Sequence, residues 1–198
     1  MKLHAALLLI TLGLTFQACY MGSSLQNSVT ILDRSSWKAD SAKPFTAQTP
    51  SQITVHHEGT FFDTTKQDPK EHIKHIQQWG MGKERHWADV PFHYFIDPAG
   101  IIYEGRNILV MGEATTHENL AGQIQIALLG NFEQQEPTPK QISSLTTLLA
   151  ICCQKYSITT DGIHLHNEFT VTQCPGKNLL KYFNDGSIKK QVKALMQQ

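Results

Sequence analysis

The run IQIALLGNF, residues 124–132, is almost wholly apolar. A strand of that composition has to be covered on both faces, which demands packing partners on either side of the sheet that holds it. The surrounding chain supplies them. QITVHHEG sets Ile53, Val55 and His57 against Thr54, His56 and Glu58, the two-residue period of a strand. Asp68-Pro69 opens a helix through KEHIKHIQQW that the glycines of GMG stop. DVPFHYFIDPAGIIYEG reads as two strands joined by the turn-forming Asp-Pro-Ala-Gly. Ile142, Leu145, Leu149, Cys152 and Tyr156 recur at helical spacing, so a helix runs from Thr138 to Tyr156. A short apolar stretch at Gly162-Ile163 and a helical tail through VKALMQQ complete the pattern. The expected fold is α/β, a single domain with a mixed central β-sheet flanked by helices. At 198 residues and 40% apolar content the chain can build that core without disulfide staples.

Seventeen basic and seventeen acidic side chains cancel. No charge excess draws the chain to nucleic acid or to an anionic bilayer surface. The N-terminus carries an address instead. Met1-Lys2 is a minimal positive region, AALLLITLGLTF is uncharged and apolar, and Gln17-Ala18-Cys19 ends the run with a small residue before a cysteine. Ala5 to Phe16 is shorter than the roughly 20 apolar residues a membrane span needs, so the segment reads as a secretory signal. Phe16-Gln17-Ala18-Cys19 resembles a bacterial lipobox, although Phe16 stands where Leu is usual. The expected organisation is a signal over 1–18, Cys19 as a lipidated first mature residue, a polar tether over 19–30 and one folded domain over 31–198. Plain cleavage and export is the alternative to lipid attachment. Either way the expected location is the bacterial cell envelope or periplasm, as a monomer. ILDRSSWKADSAKPFTAQTPSQ reads as an irregular entry into the domain.

Four cysteines in an exported chain invite disulfide arithmetic, and here it fails. Cys19 belongs to the signal, and Cys152 and Cys153 are neighbours on a helix, pointing about 100° apart. Cys174 is left without a partner, and a metal is the usual holder of such a thiol. Zinc accepts imidazole nitrogen and thiolate sulfur, and a catalytic site keeps three protein ligands with a fourth position open. In HLHNEFTVTQCPGKNL, His166 and Cys174 stand eight residues apart, with Pro175-Gly176 turning the chain directly afterwards. The third ligand has to come from far away in sequence, and the His56-His57 pair is the best donor. Strand parity places His56 with Glu58 and sends His57 to the side of Val55 as a packed histidine.

VHHEGT, DVPFHYFIDPAGIIYEGRN, IALLGNF and HNEFTVTQCPG follow one another in the order and spacing of a known family. The chain resembles the zinc amidases related to peptidoglycan recognition proteins and to phage lysozyme-type N-acetylmuramoyl-L-alanine amidases. ILDRSSW is similar to the Arg-x-x-Trp entry of the peptidoglycan-recognition branch, and the likeness covers about residues 31 to 183. The resemblance implies Zn2+ held by His56, His166 and Cys174. It further implies hydrolysis of the amide between N-acetylmuramic acid and L-alanine, with peptidoglycan or muropeptides as partners. Two other classes stay open: a catalytically weak peptidoglycan-binding module of the same fold, and a zinc peptidase or esterase acting on another substrate.

The resemblance leaves the proton carrier open. Thr172 stands where certain phage enzymes carry lysine, and Phe92 stands where many members carry tyrosine. Phe92 packs but donates no hydrogen bond. Glu58 is the first candidate for proton transfer, against a plain solvated strand-end carboxylate, and Thr172 is a candidate orienting donor. Glu113 and Asn119, in MGEATTHEN, fall in the loop expected to border the substrate groove. His164 is a candidate fourth ligand or a supporter of His166, His93 reads as structural, and His72 and His75 as surface residues of a helix.

Overall fold

The computed structural model describes Leu25 and residues 28–197. The signal, Cys19 and most of the tether lie outside the described residues. Among the described residues, six strands, β1 (Ile31–Leu32), β2 (Gln52–His57), β3 (Tyr94–Ile96), β4 (Ile102–Glu104), β5 (Gln123–Leu128) and β6 (Ile163–Leu165), are joined by four α-helices. These are α1 (Pro69–Gly80), α2 (Pro139–Tyr156), α3 (Lys177–Asn184) and α4 (Ser187–Leu195). The strands form one sheet in the order β1-β4-β3-β5-β2-β6. The β3–β4 pair is antiparallel and the other pairs are parallel, so the sheet is mixed as expected.

The apolar run is β5, and all six of its residues are buried. Its alternating side chains serve two layers. Ile124, Ile126 and Leu128 pack in one core with Leu145, Leu148 and Leu149 of α2 and with Ile188 and Val192 of α4. Ala127 and Leu129 join a second core with Ile73 and Ile76 of α1, Phe95 and Trp37. Burying each large aliphatic side chain contributes about 1.5–3 kcal/mol, so both layers are well supported.

Local chemistry fixes the helix ends. Asp68 accepts from the backbone N–H groups of Lys70 and Glu71 at 2.7 and 3.2 Å, with Pro69 at the first helical position of α1. Thr138 and Gln141 cap α2 reciprocally. The β3–β4 turn follows the Asp-Pro-Ala-Gly reading: Asp97 Oδ1 accepts from the N–H groups of Ala99 and Ile101, and Gly100 takes φ 83°. The helical tail read through VKALMQQ is α4, and a further helix, α3, precedes it, separated at Gly186, whose φ is 73°.

Two expectations about the N-terminal part need correcting. The segment read as a polar tether contributes Leu25, which is buried, and Val29 to the core with α2. The entry segment is not wholly irregular. Ile31 and Leu32 pair with Ile102 and Tyr103 as an edge strand. The next turn buries Trp37, whose Nε1 donates to the Glu104 carbonyl at 2.8 Å, while Arg34 pairs with Asp89 at 2.8 Å. Among the described residues no helix is long and apolar enough to cross a membrane.

Candidate metal centre

Three side chains meet at one end of the sheet. His56 projects from β2, His166 follows the last residue of β6 directly, and Cys174 lies on the loop before α3. One ligand atom from each lies within 4.8 Å of the other two, and Cys174 Sγ is 3.6 Å from His56 Nδ1. No other such group of His, Cys, Asp or Glu occurs among the described residues.

The nitrogen of each imidazole that faces the centre follows from what its other nitrogen does. His56 Nε2 hydrogen-bonds Gln125 Oε1, and His166 Nε2 lies 2.8 Å from Glu118 Oε1. A neutral imidazole carries one proton, so donating from Nε2 leaves the lone pair on Nδ1. His166 Nδ1 is buried and has no partner among the described residues. Burial drives the His56 imidazole well below its ordinary value, neighbouring His166 adds to the effect, and His56 is therefore a neutral base. Burial likewise pushes the Cys174 thiol up to about 12, so a thiolate here needs a cation beside it.

The donor set fits zinc. Bonds of about 2.0–2.3 Å from a tetrahedral ion hold nitrogen and sulfur ligands roughly 3.6 Å apart, which is the His56–Cys174 spacing. Two lone pairs and one thiol converge, and a cavity of about 760 Å³ opens beside them.

The loop that presents Cys174 is fastened to the core. Gly176 N–H donates to Gln173 O at 2.7 Å, closing the turn, and Asn178 N–H donates to Phe132 O at 3.0 Å. At Gly176, with φ 91°, a Cβ would stand 2.5 Å from the Phe132 carbonyl carbon. Only glycine fits there.

Of the other residues singled out in the sequence, Glu58, Phe92, Thr172 and Glu113 line the cavity. The Phe92 ring packs against His56 at 5.1 Å and against Phe95 at 5.6 Å. Thr172 Oγ1 accepts from Cys174 N–H at 3.1 Å, which leaves its own proton free to donate. Glu58 is just beyond β2, with its carboxylate accepting from Thr60 and lying 3.2 Å from His72 Nε2. His57 turns the other way: its Nδ1 accepts from Phe132 N–H at 3.2 Å.

Several placements differ from expectation. Glu113 is on the wall, but its carboxylate is committed to Arg106 and to Ala88 N–H. Asn119 is exposed and outside the cavity lining, its Oδ1 accepting from Ala121 N–H in a turn. His164 shares no site with His166, because the chain leaves the strand at Leu165, and it pairs with Glu168 at 2.8 Å instead. His75 is exposed, as read, at the cavity margin, whereas His72 is half-buried where α1 lays it along the cavity wall. His93 is structural as read, bridging Gln125 N–H and Val110 O, with burial lowering its pKa to about 4.

Glu118 and Gln125 were missed by the sequence reading. Gln125 had a signal, a polar residue inside an apolar strand. It shares its face with Gln123 and Thr54, and the three form a buried ladder leading to His56.

Comparison with known proteins shows the family. The family profile described as N-acetylmuramoyl-L-alanine amidase matches residues 46–177. Peptidoglycan-recognition protein SC2 of Drosophila simulans is 32% identical over 154 residues, 76% of this chain and 83% of that protein. Among solved structures, N-acetylmuramoyl-L-alanine amidase LysC from Clostridium intestinale URNW is 27% identical with a TM-score of 0.66, covering 83% of this chain and 97% of that one. Peptidoglycan recognition protein-LE, solved in complex with tracheal cytotoxin, is 26% identical with a TM-score of 0.69, covering 79% and 93%.

Proposed function

We propose, from the premise that the chain belongs to the N-acetylmuramoyl-L-alanine amidase family, that it hydrolyses the amide between N-acetylmuramic acid and L-alanine in peptidoglycan. The observation that carries this reading is the convergence of His56, His166 and Cys174 on one point at the edge of a large cavity. A binding module has no need of a complete ligand set beside an open position.

His56 Nδ1, His166 Nδ1 and Cys174 Sγ would hold a zinc ion, which when bound supplies Lewis acidity and lowers the pKa of a bound water toward about 7. The chain's own residues handle orientation and protons. Thr172, its oxygen satisfied by Cys174 N–H, turns its hydroxyl proton toward the oxyanion that develops on the lactyl carbonyl. Glu58, on the same wall, takes a proton from the attacking water and returns it to the alanine nitrogen as the C–N bond breaks. Phe92 keeps the His56 ring in place and excludes water from that side.

Two of the similar proteins are named for recognition of peptidoglycan rather than its cleavage. That makes a silent binder of the same ligand the competing reading. Digestion of purified sacculi with mass analysis separates them. Free stem peptides are expected. Retention on sacculi without release identifies a binder, and cleavage at another bond identifies a peptidase. We further propose that the protein works in the cell envelope after export, anchored through lipid at Cys19.

A further inference from the structure

We infer that Glu118 is a positioning residue that presets His166 for metal binding, holding its ring in one tautomer and placing a negative charge behind it. The inference rests on the reading of His56, His166 and Cys174 as zinc ligands.

The Glu118 side chain keeps only 4% of its surface exposed. Its Oε1 accepts from His166 Nε2 at 2.8 Å and from Thr116 Oγ1 at 2.8 Å, and Thr116 Oγ1 also lies 3.3 Å from His166 Nε2. The imidazole is thus gripped on its far edge by two oxygens. Its remaining nitrogen, Nδ1, is buried and has no partner among the described residues. Glu118 Oε2 is also buried without a hydrogen-bond partner, and among the described residues no lysine or arginine pairs with this carboxylate. The charge is not spent elsewhere. Glu113, five residues earlier in the same loop, shows the contrast, because its carboxylate is taken by Arg106.

The two imidazoles of the site are held by different chemistry. His56 leans on the neutral amide of Gln125, whereas His166 leans on a carboxylate. Two neutral imidazoles and one thiolate around a divalent ion leave a net charge of +1 in a largely buried place. One carboxylate behind one ligand neutralises it, and an amide in both positions does not. Groups that hold a ligand's other nitrogen typically contribute tenfold to a hundredfold in metal affinity.

The test uses the full folded domain in wild-type, Glu118→Gln and Glu118→Ala forms. Two quantities are measured: the His166 tautomer in metal-free protein by nitrogen NMR at about pH 8, and zinc affinity by competition with a chelator. In the wild type His166 should carry its proton on Nε2. Glu118→Gln still accepts that hydrogen bond, so it should keep the tautomer and lose about tenfold in zinc affinity through the missing charge. Glu118→Ala should lose the tautomer preference and about a hundredfold in affinity. Zinc affinity within about threefold of wild type in Glu118→Ala, with the tautomer unchanged, overturns the inference and leaves the zinc site standing. A wild-type protein that takes up no zinc overturns both.

Discussion

His56 Nδ1 and Cys174 Sγ lie 3.6 Å apart although 118 positions separate them in the chain. The contact is made by the fold alone: β2 carries one partner, and the turn at Gly176, pinned to Phe132, carries the other. Removing the sulfur should therefore remove the metal and leave the scaffold. Cys174→Ala is expected to bind zinc at least about a hundredfold more weakly, to lose detectable amidase activity and to melt within a few degrees of the metal-free wild type. Metal analysis and a thermal melt check both halves. Full activity in a metal-free Cys174→Ala sample would defeat the zinc mechanism.

Glu58→Gln keeps the shape of the side chain and its contacts with Thr60, and it removes the titration. General acid-base help is worth about 10²- to 10⁴-fold, so kcat should fall by at least about tenfold with zinc content unchanged. Wild-type turnover from pH 5 to about 9 would make Glu58 a bystander and shift proton transfer to solvent.

His93 predicts how the metal-free protein responds to acid. Burial lowers its folded-state pKa to about 4, against 6.5 for the free side chain. Between those values the unfolded chain binds a proton that the folded one refuses, so stability is full above 6.5 and drains away as pH falls toward about 4. The loss attributable to His93 is about 3 kcal/mol at most. His56, lowered in the same sense by its burial, adds to the slope. Denaturant midpoints measured across this window should fall with pH, and His93→Asn should flatten the dependence. An equal slope in the variant would show that other groups set it.

Gly176→Ala should be costly despite adding a single methyl group. The Cβ would meet backbone atoms of Phe132 and Glu133 at 2.5 and 2.9 Å, and φ is 91°. A loss of more than about 2 kcal/mol of stability and a weakened zinc site are expected, because the Cys174 loop has to shift. Unfolding curves with and without zinc measure the two effects separately, and an unchanged midpoint would show that the loop yields easily.

Lipid attachment is tested at Cys19, which lies outside the described residues. The full chain expressed with an export pathway should partition with membranes, and Cys19→Ser should release it or block its processing. Equal partition of both forms would favour plain export.

The sequence carried the candidate site and the layers for identifiable reasons. Side-chain alternation in QITVHHEG separated His56 from His57, and the sheet uses that parity, sending His57 toward Phe132. The apolar run declared a strand covered on both sides, as β5 is. What stayed illegible lies where no period constrains direction. Glu113 and Glu118 occur in one loop without a period, and the structure gives Glu113 to Arg106 and Glu118 to His166. His72 sits on a helix whose spacing is plain, yet its tertiary cover was not, and the pairing with Glu58 appears only when α1 is laid on the sheet.

The sheet's two outer positions are held by very short strands, β1 with two residues and β6 with three. Each margin therefore offers another chain only a brief row of open backbone hydrogen-bonding groups. Longer β2 and β5, whose six residues apiece would make sticky templates, are enclosed at the centre. Exposed strand margins are where encounters between chains turn into aggregation. By keeping its margins short, this fold leaves little edge at which a second copy could add a strand.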